Sequence, residues 1–296
     1  MSSINFLPLE SISGFIWLNG NFIQWQEAKI HVLTHSLHYS GGVFEGEKAF
    51  NGKIFKIKEH TDRLFISAKK MRLKIPYTSE KIIEASNELL KLNNLQQAYI
   101  RPFVWRSTDT LMVRPINQVT NLMIAAWNPR GKKSDKPYNI HISTWRKPTE
   151  NICPMQCKSS LNYGMLSIAV TEALEQGFDD AILLDMQGYI SECTTSNIFF
   201  IKEETLYTPK TTYCLNGITR QTIITIAESL NVNVVEKDIT TEEIEAYEAS
   251  FITGTACGVK PINSISYNSK TINFKETKLL ECLKLAYNKL TGEINE

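Results

Sequence analysis

A lysine and a tyrosine stand five positions apart in the stretch QCKSSLNYG, residues 156 to 164, which carries no other charge. Most lysines are surface residues whose apolar stems lie along the protein while the ammonium stays in water. In a partly dry pocket, however, the amine of Lys158 can lose its proton and form a Schiff base with an aldehyde. The residue type alone leaves both interpretations open.

Three further segments carry groups with chemical meaning. Glu192, in GYISECTTSN, ends a predicted apolar strand and is flanked by small polar residues. The segment LNGITRQT has a turn at Asn216-Gly217 before a predicted helix, whose free N–H groups and dipole favour a phosphate. GTACG, residues 254–258, is a small-residue turn that can bring backbone N–H groups to an anion. Taken singly, each is also an ordinary strand end, cap or turn.

The cysteines and histidines do not form the pattern of a metal site. Cys153 and Cys157 have no further cysteine or histidine at a suitable spacing, and the histidine cluster at 31, 35 and 38 lacks an HExxH arrangement. We therefore predict no metal. The six cysteines, in a sequence without a secretory signal, are predicted to be reduced thiols.

The length and charge of the chain indicate a protein with small-molecule ligands. A chain of 296 residues suits two domains of ordinary size. Thirty-two basic and thirty-one acidic residues give a net charge of +1, which predicts neither nucleic acid nor an anionic membrane as a partner. The N-terminus lacks the pattern of a signal peptide, and no window is apolar enough to predict a membrane-spanning helix. We expect a cytoplasmic protein.

Hydrophobic periods and turn signals place these groups on two successive domains. The first half reads as hairpins at Asn19-Gly20 and Asn51-Gly52, a helix over about 59 to 73, and a second helix capped at Thr78/Ser79. Two long strands, AYIRPFVWRS and TNLMIAAWN, follow. The segment NPRGKKSDKPY then predicts a linker, after which strands and helices alternate again. We therefore predict a domain over 1–130, a linker over 131–137 and a domain over 138–296.

Taken in order, these segments resemble the fold-type IV pyridoxal-phosphate enzymes. The carrying features are the lysine, the strand-end glutamate thirty-four residues later, GITR opening a helix, and SFITGTA. Upstream runs extend the resemblance and are similar to the branched-chain amino acid aminotransferases of that class: THSLHYSGGVFEG at 34–46, EHTDRL at 59–64 and AYIRP at 98–102. The resemblance implies an α+β two-domain fold, with a small mixed α/β N-terminal domain and a larger C-terminal domain that has a β-barrel-like core.

The resemblance also implies roles for the cofactor's neighbours. Lys158 would carry pyridoxal 5′-phosphate covalently and move a proton between the substrate and the cofactor. Glu192 would pair with the pyridine nitrogen, and Tyr163 would hydrogen-bond the phenolic oxygen. The groups that would bind the phosphate are Arg63, Ile218, Thr219 and Thr255.

Substrate contacts follow from the same resemblance. The α-carboxylate would meet Tyr99 and the backbone of Thr255 and Ala256, and Arg101 would pair the γ-carboxylate of glutamate. The apolar wall for a branched side chain would come from Tyr39, Phe44, Trp145 and Tyr163. In this family Tyr39 and Val113 come from the neighbouring subunit, so a homodimer or a higher homo-oligomer is implied.

The implied activity is the pyridoxal-phosphate-dependent transamination of leucine, isoleucine and valine with 2-oxoglutarate. Four departures from the family pattern leave two relatives open as alternatives: the segment KSSLNY, Lys48, the loop TDTLMVRP without the family's glycines, and the pair Cys257-Gly258. These are an aminodeoxychorismate lyase and a D-amino acid aminotransferase. A binding protein without turnover would be indicated by loss of Lys158 or Glu192, and both are present. The amino-acid preference, the direction of the reaction and the assembly size stay open.

Overall fold

The computed structural model of the chain describes residues 8–129 and 136–293. The chain divides into two compact units. One contains the described residues up to 129 together with Cys157–Leu161, and the other contains the described residues 136–156 and 162–293. The predicted linker at 131–137 lies outside the described residues over 131–135, so the predicted domain boundaries stay a prediction.

The first unit is built on an antiparallel sheet of seven strands. Its order is β2-β1-β7-β6-β4-β5, and β3 pairs with β6 beside β4. The strands are β1 Phe15–Leu18, β2 Asn21–Gln24, β3 Gly42–Phe44, β4 Glu47–Phe50, β5 Lys53–Ile54, β6 Ala98–Ser107 and β7 Val119–Trp127. Strand β6 lies at the centre of this sheet and pairs with three others.

Both predicted hairpins are confirmed. Asn19 and Gly20 join β1 to β2 with φ angles of 48° and 97°, and Asn51 and Gly52 join β4 to β5 with 49° and 74°. A two-residue turn that matches the twist of its strands needs positive φ at both positions, which asparagine and glycine adopt at low cost. The turn sequence therefore fixes the register of both strand pairs.

Three helices complete the first unit: α1 His35–Tyr39, α2 Ile57–Lys70 and α3 Ser79–Leu92. The hydroxyl of Thr78 caps α3 by accepting from the backbone N–H of Lys81 at 3.2 Å, as its position predicted. Apolar faces of α2 and α3 pack on the sheet, with Leu64 and Leu89 fully buried in the shared core. This packing holds α2 in a fixed position against the sheet.

The second unit contains a mixed sheet of nine strands, in the order β10-β9-β8-β15-β14-β11-β12-β13, with β16 on β15. The strands are β8 Tyr138–Arg146, β9 Asp180–Leu184, β10 Ile190–Cys193, β11 Asn197–Lys202, β12 Thr205–Pro209, β13 Val234–Lys237, β14 Ala249–Gly254, β15 Gly258–Tyr267 and β16 Lys270–Asn273. Only three residues join β10 to β11, although four strands separate them in the sheet. The sheet therefore curls into a half-barrel, which confirms the predicted barrel-like core.

Three helices belong with this sheet: α4 Ser160–Glu175, α5 Ile218–Ser229 and α6 Lys278–Thr291. Helices α5 and α6 cover one face of the sheet over a core in which the rings of Phe199 and Phe251 stack with centroids 5.1 Å apart. Gly177, with φ 85°, lies just beyond the end of α4, where the left-handed conformation favours glycine. Among the described residues no helix is long and apolar enough to cross a membrane.

Candidate active site

Lys158 is anchored through its backbone to elements of the first unit. Its carbonyl oxygen accepts from the N–H of Phe44 at 3.0 Å, and its N–H donates to the hydroxyl of Ser67 on α2 at 3.1 Å. Ser159 also forms an antiparallel bridge with Val43 of β3. These bonds explain why Cys157–Leu161, which the sequence analysis assigned to the second domain, groups with the first unit.

The Lys158 amine is chemically poised. Its side chain is half-buried, and Nζ lies 5.0 Å from the centre of the Phe44 ring. Desolvation, and then the positive charge of Arg63, lower the pKa of this amine from about 10.5 to about 8, while Glu45 opposes the shift. An amine with such a pKa is partly neutral near physiological pH, so it can act as a nucleophile.

Arg63 projects from α2 and is held by a buried carboxylate. Its Nε and Nη2 donate to the two oxygens of Glu45, both at 2.7 Å, and Nδ1 of His60 lies 2.7 Å from one of them. Burial alone would raise the pKa of Glu45, but Arg63 and His60 lower it to about 2. Sequence reasoning missed Glu45, because only the fold brings it to Arg63, eighteen residues away.

Tyr99 and Arg101 lie on the same face of β6, since alternate strand residues point the same way. Arg101 Nη2 donates to the Tyr99 hydroxyl at 2.8 Å. The guanidinium also lies over the Phe44 ring, with Cζ 4.5 Å from its centre. Among the described residues, the buried Nε of Arg101 has no hydrogen-bond partner. The first unit therefore brings Lys158 and Arg101 to the ring of Phe44, and Tyr99 to Arg101.

Glu192 in the second unit is buried in β10 rather than solvated at a strand end. Its Oε1 lies 2.7 Å from Nζ of Lys147, and its Oε2 accepts from the N–H of Leu215 at 3.2 Å and from Nδ2 of Asn197 at 3.3 Å. A carboxylate has about four acceptor positions, so Glu192 retains capacity for one more donor. Sequence reasoning missed Lys147 and Asn197, which carry no local signal of this contact.

Helix α5 begins at Ile218, as the turn Asn216-Gly217 predicted. Gly217 occupies the N-cap and supplies no side chain to the first N–H groups, which have no partner within the helix. A Cβ atom at Gly217 would collide with Oδ1 of Asn197, so any other residue at this position would displace the Asn197 side chain. Ile218 and Thr219 are buried at this helix start, and the hydroxyl of Thr219 hydrogen-bonds that of Tyr287. The arrangement can receive an anion at the helix N-terminus.

The turn between β14 and β15 carries Thr255 and Ala256, the first half-buried and the second exposed. Gly258 ends the turn with φ 67°. The buried hydroxyl of Thr253, just before the turn, has no hydrogen-bond partner in the described parts of the chain. Backbone N–H groups and a hydroxyl are therefore clustered at this edge of the sheet.

Four further predicted residues lie on the two units. Tyr163 lies on α4 and is partly buried against a small apolar cluster that contains Leu166. Trp145, on β8, is 41% exposed. Tyr39 and Val113 are 39% and 74% exposed on the first unit. Their predicted roles stay predictions.

No group of three or more histidine, cysteine, aspartate or glutamate side chains that could hold a metal occurs in residues 8–129 and 136–293. All six cysteines are free thiols. Four of them are buried: Cys153, Cys157, Cys193 and Cys214.

Comparison with known proteins gives consistent similarities. The model of the family described as amino-transferase class IV matches residues 42–265. A protein of Rickettsia felis named as a probable branched-chain-amino-acid aminotransferase is 46% identical over 287 residues, covering 97% of this chain and 99% of its own.

Two solved structures are similar over nearly the full length of both chains. The branched-chain aminotransferase of Thermoproteus uzoniensis, determined with norvaline, has a TM-score of 0.89 at 30% identity and covers 94% of this chain and 95% of its own. The branched-chain amino acid aminotransferase of Escherichia coli has a TM-score of 0.89 at 31% identity and covers 96% of this chain and 97% of its own.

Proposed function

This chain belongs to the amino-transferase class IV family, and we propose that it transfers the amino group of leucine, isoleucine or valine to 2-oxoglutarate. Enzymes of this class depend on pyridoxal 5′-phosphate, which is therefore the cofactor of this chain. Full-length similarity to branched-chain aminotransferases favours this activity over those of an aminodeoxychorismate lyase or a D-amino acid aminotransferase.

The Lys158 amine is the observation that carries the proposal. It is half-buried beside an aromatic ring, and its pKa is lowered to about 8. An amine with these properties can bond to an aldehyde near neutral pH. Lys158 is therefore chemically suited to hold the aldehyde of the cofactor. When bound, pyridoxal phosphate supplies a ring that accepts electrons from the substrate's α-carbon. Once the amine of the substrate displaces Lys158 from the aldehyde, the freed Lys158 amine would move the proton between the substrate's α-carbon and the C4′ carbon of the cofactor.

The other cofactor roles are supported by the donors and acceptors of each unit. Glu192 accepts a hydrogen bond from the protonated ring nitrogen at its remaining acceptor position, and Tyr163 donates a hydrogen bond to the phenolic oxygen. Arg63, the N–H groups of Ile218 and Thr219, and Thr255 bind the phosphate. The salt bridge from Glu45 supports the role of Arg63 because it fixes the guanidinium plane.

An aminotransferase of this kind must bind two substrates with unlike side chains in turn, and the first unit offers a group for each side chain. Phe44 gives an apolar surface for a branched side chain, while Arg101 above it pairs the γ-carboxylate of glutamate. Tyr99 binds the α-carboxylate common to both substrates, together with the backbone of Thr255 and Ala256. The remaining wall residues of the proposal are Tyr39, Trp145 and Tyr163.

We further propose a cytoplasmic homodimer or higher homo-oligomer, in which Tyr39 and Val113 reach the neighbouring subunit's site. Large apolar side chains that are exposed on the first unit support this, because protein interfaces commonly cover such side chains. They include Leu37 at 64%, Tyr39 at 39%, Met112 at 51% and Val113 at 74% exposure.

A half-reaction assay tests the proposed function directly. The purified protein, loaded with pyridoxal phosphate, is mixed separately with L-leucine, L-glutamate, D-alanine and aminodeoxychorismate, and the loss of the cofactor's visible absorption is followed. We expect rapid conversion with L-leucine and L-glutamate. Conversion by D-alanine alone, or pyruvate release from aminodeoxychorismate alone, would replace the proposal with the corresponding alternative.

A further inference from the structure

Gly46 lies between the buried Glu45 and strand β4, directly against the side chain of Tyr99. A Cβ atom added to Gly46 would stand 3.0 Å from the ring Cζ of Tyr99 and closer still to its hydroxyl. Real Cβ atoms essentially never come within 3.0 Å of another heavy atom in this way. The Tyr99 hydroxyl therefore occupies space that the side chain of any other residue at position 46 would fill.

The backbone around Gly46 cannot retreat easily from this contact. On one side, the N–H of Glu45 donates to the carbonyl of Pro102 at 2.9 Å. On the other, Glu47 pairs with Ile100 in the register of β4 and β6. Since both flanks are bonded to the strand that carries Tyr99, a side chain at position 46 would displace the tyrosine ring rather than the chain.

The position of the Tyr99 hydroxyl in turn affects Arg101. Arg101 Nη2 donates to this hydroxyl at 2.8 Å, and Nε has no hydrogen-bond partner among the described residues. Contact with the face of Phe44 restrains the height of the guanidinium above the ring but not its rotation in the plane. The hydroxyl is therefore the hydrogen-bonding contact that sets the direction of Arg101, whose Cζ also lies 5.3 Å from the centre of the Tyr99 ring.

We infer that Gly46 is a positioning residue for substrate binding. Gly46 leaves space for the Tyr99 hydroxyl, which is proposed to bind the α-carboxylate. The hydroxyl in turn positions Arg101, which is proposed to bind the γ-carboxylate. The inference rests on the proposed function, because it takes the roles of Tyr99 and Arg101 from it.

A double-mutant cycle tests this inference, using Gly46→Ala, Tyr99→Phe and the two changes combined. We expect Gly46→Ala to raise KM for leucine and for 2-oxoglutarate by at least about tenfold, because that factor corresponds to the loss of one hydrogen bond to a charged group. We expect kcat to stay within a few-fold of wild type. In the Tyr99→Phe background, where the hydroxyl is already absent, the same change should raise KM by less than about threefold.

The contact itself is tested without substrate, by thermal unfolding of the same four proteins. We expect Gly46→Ala to lower Tm by several degrees, as overpacking does, and to lower it less in the Tyr99→Phe background. This readout keeps its meaning even if leucine is not a substrate, so failure of the proposed function and failure of the inference are distinguishable.

Gly164→Ala is the matched control, since nothing lies within 4 Å of a Cβ atom added at that helical position. It should change neither KM and should not lower Tm. The inference is overturned if Gly46→Ala leaves both KM values unchanged, or lowers kcat with KM unchanged. Equal effects of Gly46→Ala on KM or on Tm in the two Tyr99 backgrounds would also overturn it.

Discussion

Lys147 and Glu192 bring opposite charges within 2.7 Å inside the second unit, with side chains that are only 4% and 9% exposed. Removing two charges from water is costly, and their mutual attraction roughly offsets that cost when both are present. Loss of one partner leaves the other charge buried without compensation. The pair therefore keeps Glu192 in place before any cofactor binds.

We expect Lys147→Met to destabilise the cofactor-free protein by about 3 to 5 kcal/mol, because it leaves the Glu192 carboxylate unpaired. The double variant Lys147→Met/Glu192→Gln should recover most of this loss, since it removes both charges. Denaturant unfolding of the apo protein measures both quantities. Lys260→Met removes a buried lysine that contacts the ring of Tyr138, and serves as the control that should show no coupling to Glu192→Gln. Additive effects of Lys147→Met and Glu192→Gln would contradict the pairing.

Arg101 is a second residue whose replacement should affect the two substrates differently. Arg101→Met keeps much of the apolar stem over Phe44 but leaves the γ-carboxylate of glutamate without a partner, at a cost of about 2 to 5 kcal/mol. We expect KM for glutamate and for 2-oxoglutarate to rise strongly while the half-reaction with leucine stays within a few-fold of wild type. A parallel loss in both half-reactions would instead make Arg101 a structural residue.

The sequence singles out candidate chemical residues more readily than the residues that hold them in place. Lys158, Glu192 and the start of α5 stand in motifs whose order along the chain carries the family resemblance. Glu45 and Lys147 were missed because their partners lie eighteen and forty-five residues away. Buried ion pairs of this kind are formed by tertiary structure and leave no periodic signal.

Among the elements, helix α5 presents its first N–H groups from a glycine cap that supplies no side chain. Proline is well tolerated at the first helical position, since its fixed φ suits a helix and its missing N–H has no partner within the helix. Ile218→Pro should therefore keep α5 while removing one donor proposed to bind the phosphate. We expect affinity for pyridoxal phosphate to fall roughly tenfold, the value of one charge-assisted hydrogen bond.

Titration of the apo protein with pyridoxal phosphate measures this affinity. Ser79→Pro is the matched control, because it places proline at the same position of the exposed helix start of α3. It should leave the affinity unchanged. An Ile218→Pro protein that folds normally and binds pyridoxal phosphate as tightly as wild type would remove the helix start from the phosphate site.

Elements were predicted well where their signals are local. The Asn-Gly hairpins and the Thr78 cap follow from residues within the turn itself. Helix α2 was predicted over 59 to 73 but spans Ile57–Lys70. It is bounded by Lys56 and Arg72, which adopt φ angles of 50° and 57°. Non-glycine residues rarely adopt such angles without tertiary support, so no local pattern could have set these ends.

For the whole molecule, the proposed homo-oligomer predicts that single charges on the exposed apolar surface will break assembly. Val113→Asp should shift the protein towards monomer in light-scattering measurements and lower kcat/KM by more than about tenfold, because buried interface positions tolerate charge poorly. Ile168→Asp, which changes a 51% exposed apolar residue on α4, is the control and should preserve assembly. A fully active monomer would contradict the proposed sharing of residues between subunits.

The covalent role of Lys158 is the claim on which the whole account depends. It is tested most directly by reducing the protein loaded with pyridoxal phosphate with borohydride, digesting it and locating the phosphopyridoxyl group by mass spectrometry. The account predicts one modified residue, Lys158, and no stable label in Lys158→Ala. Reduction that fixes the cofactor to a different lysine, or labelling that is unchanged in Lys158→Ala, would contradict it.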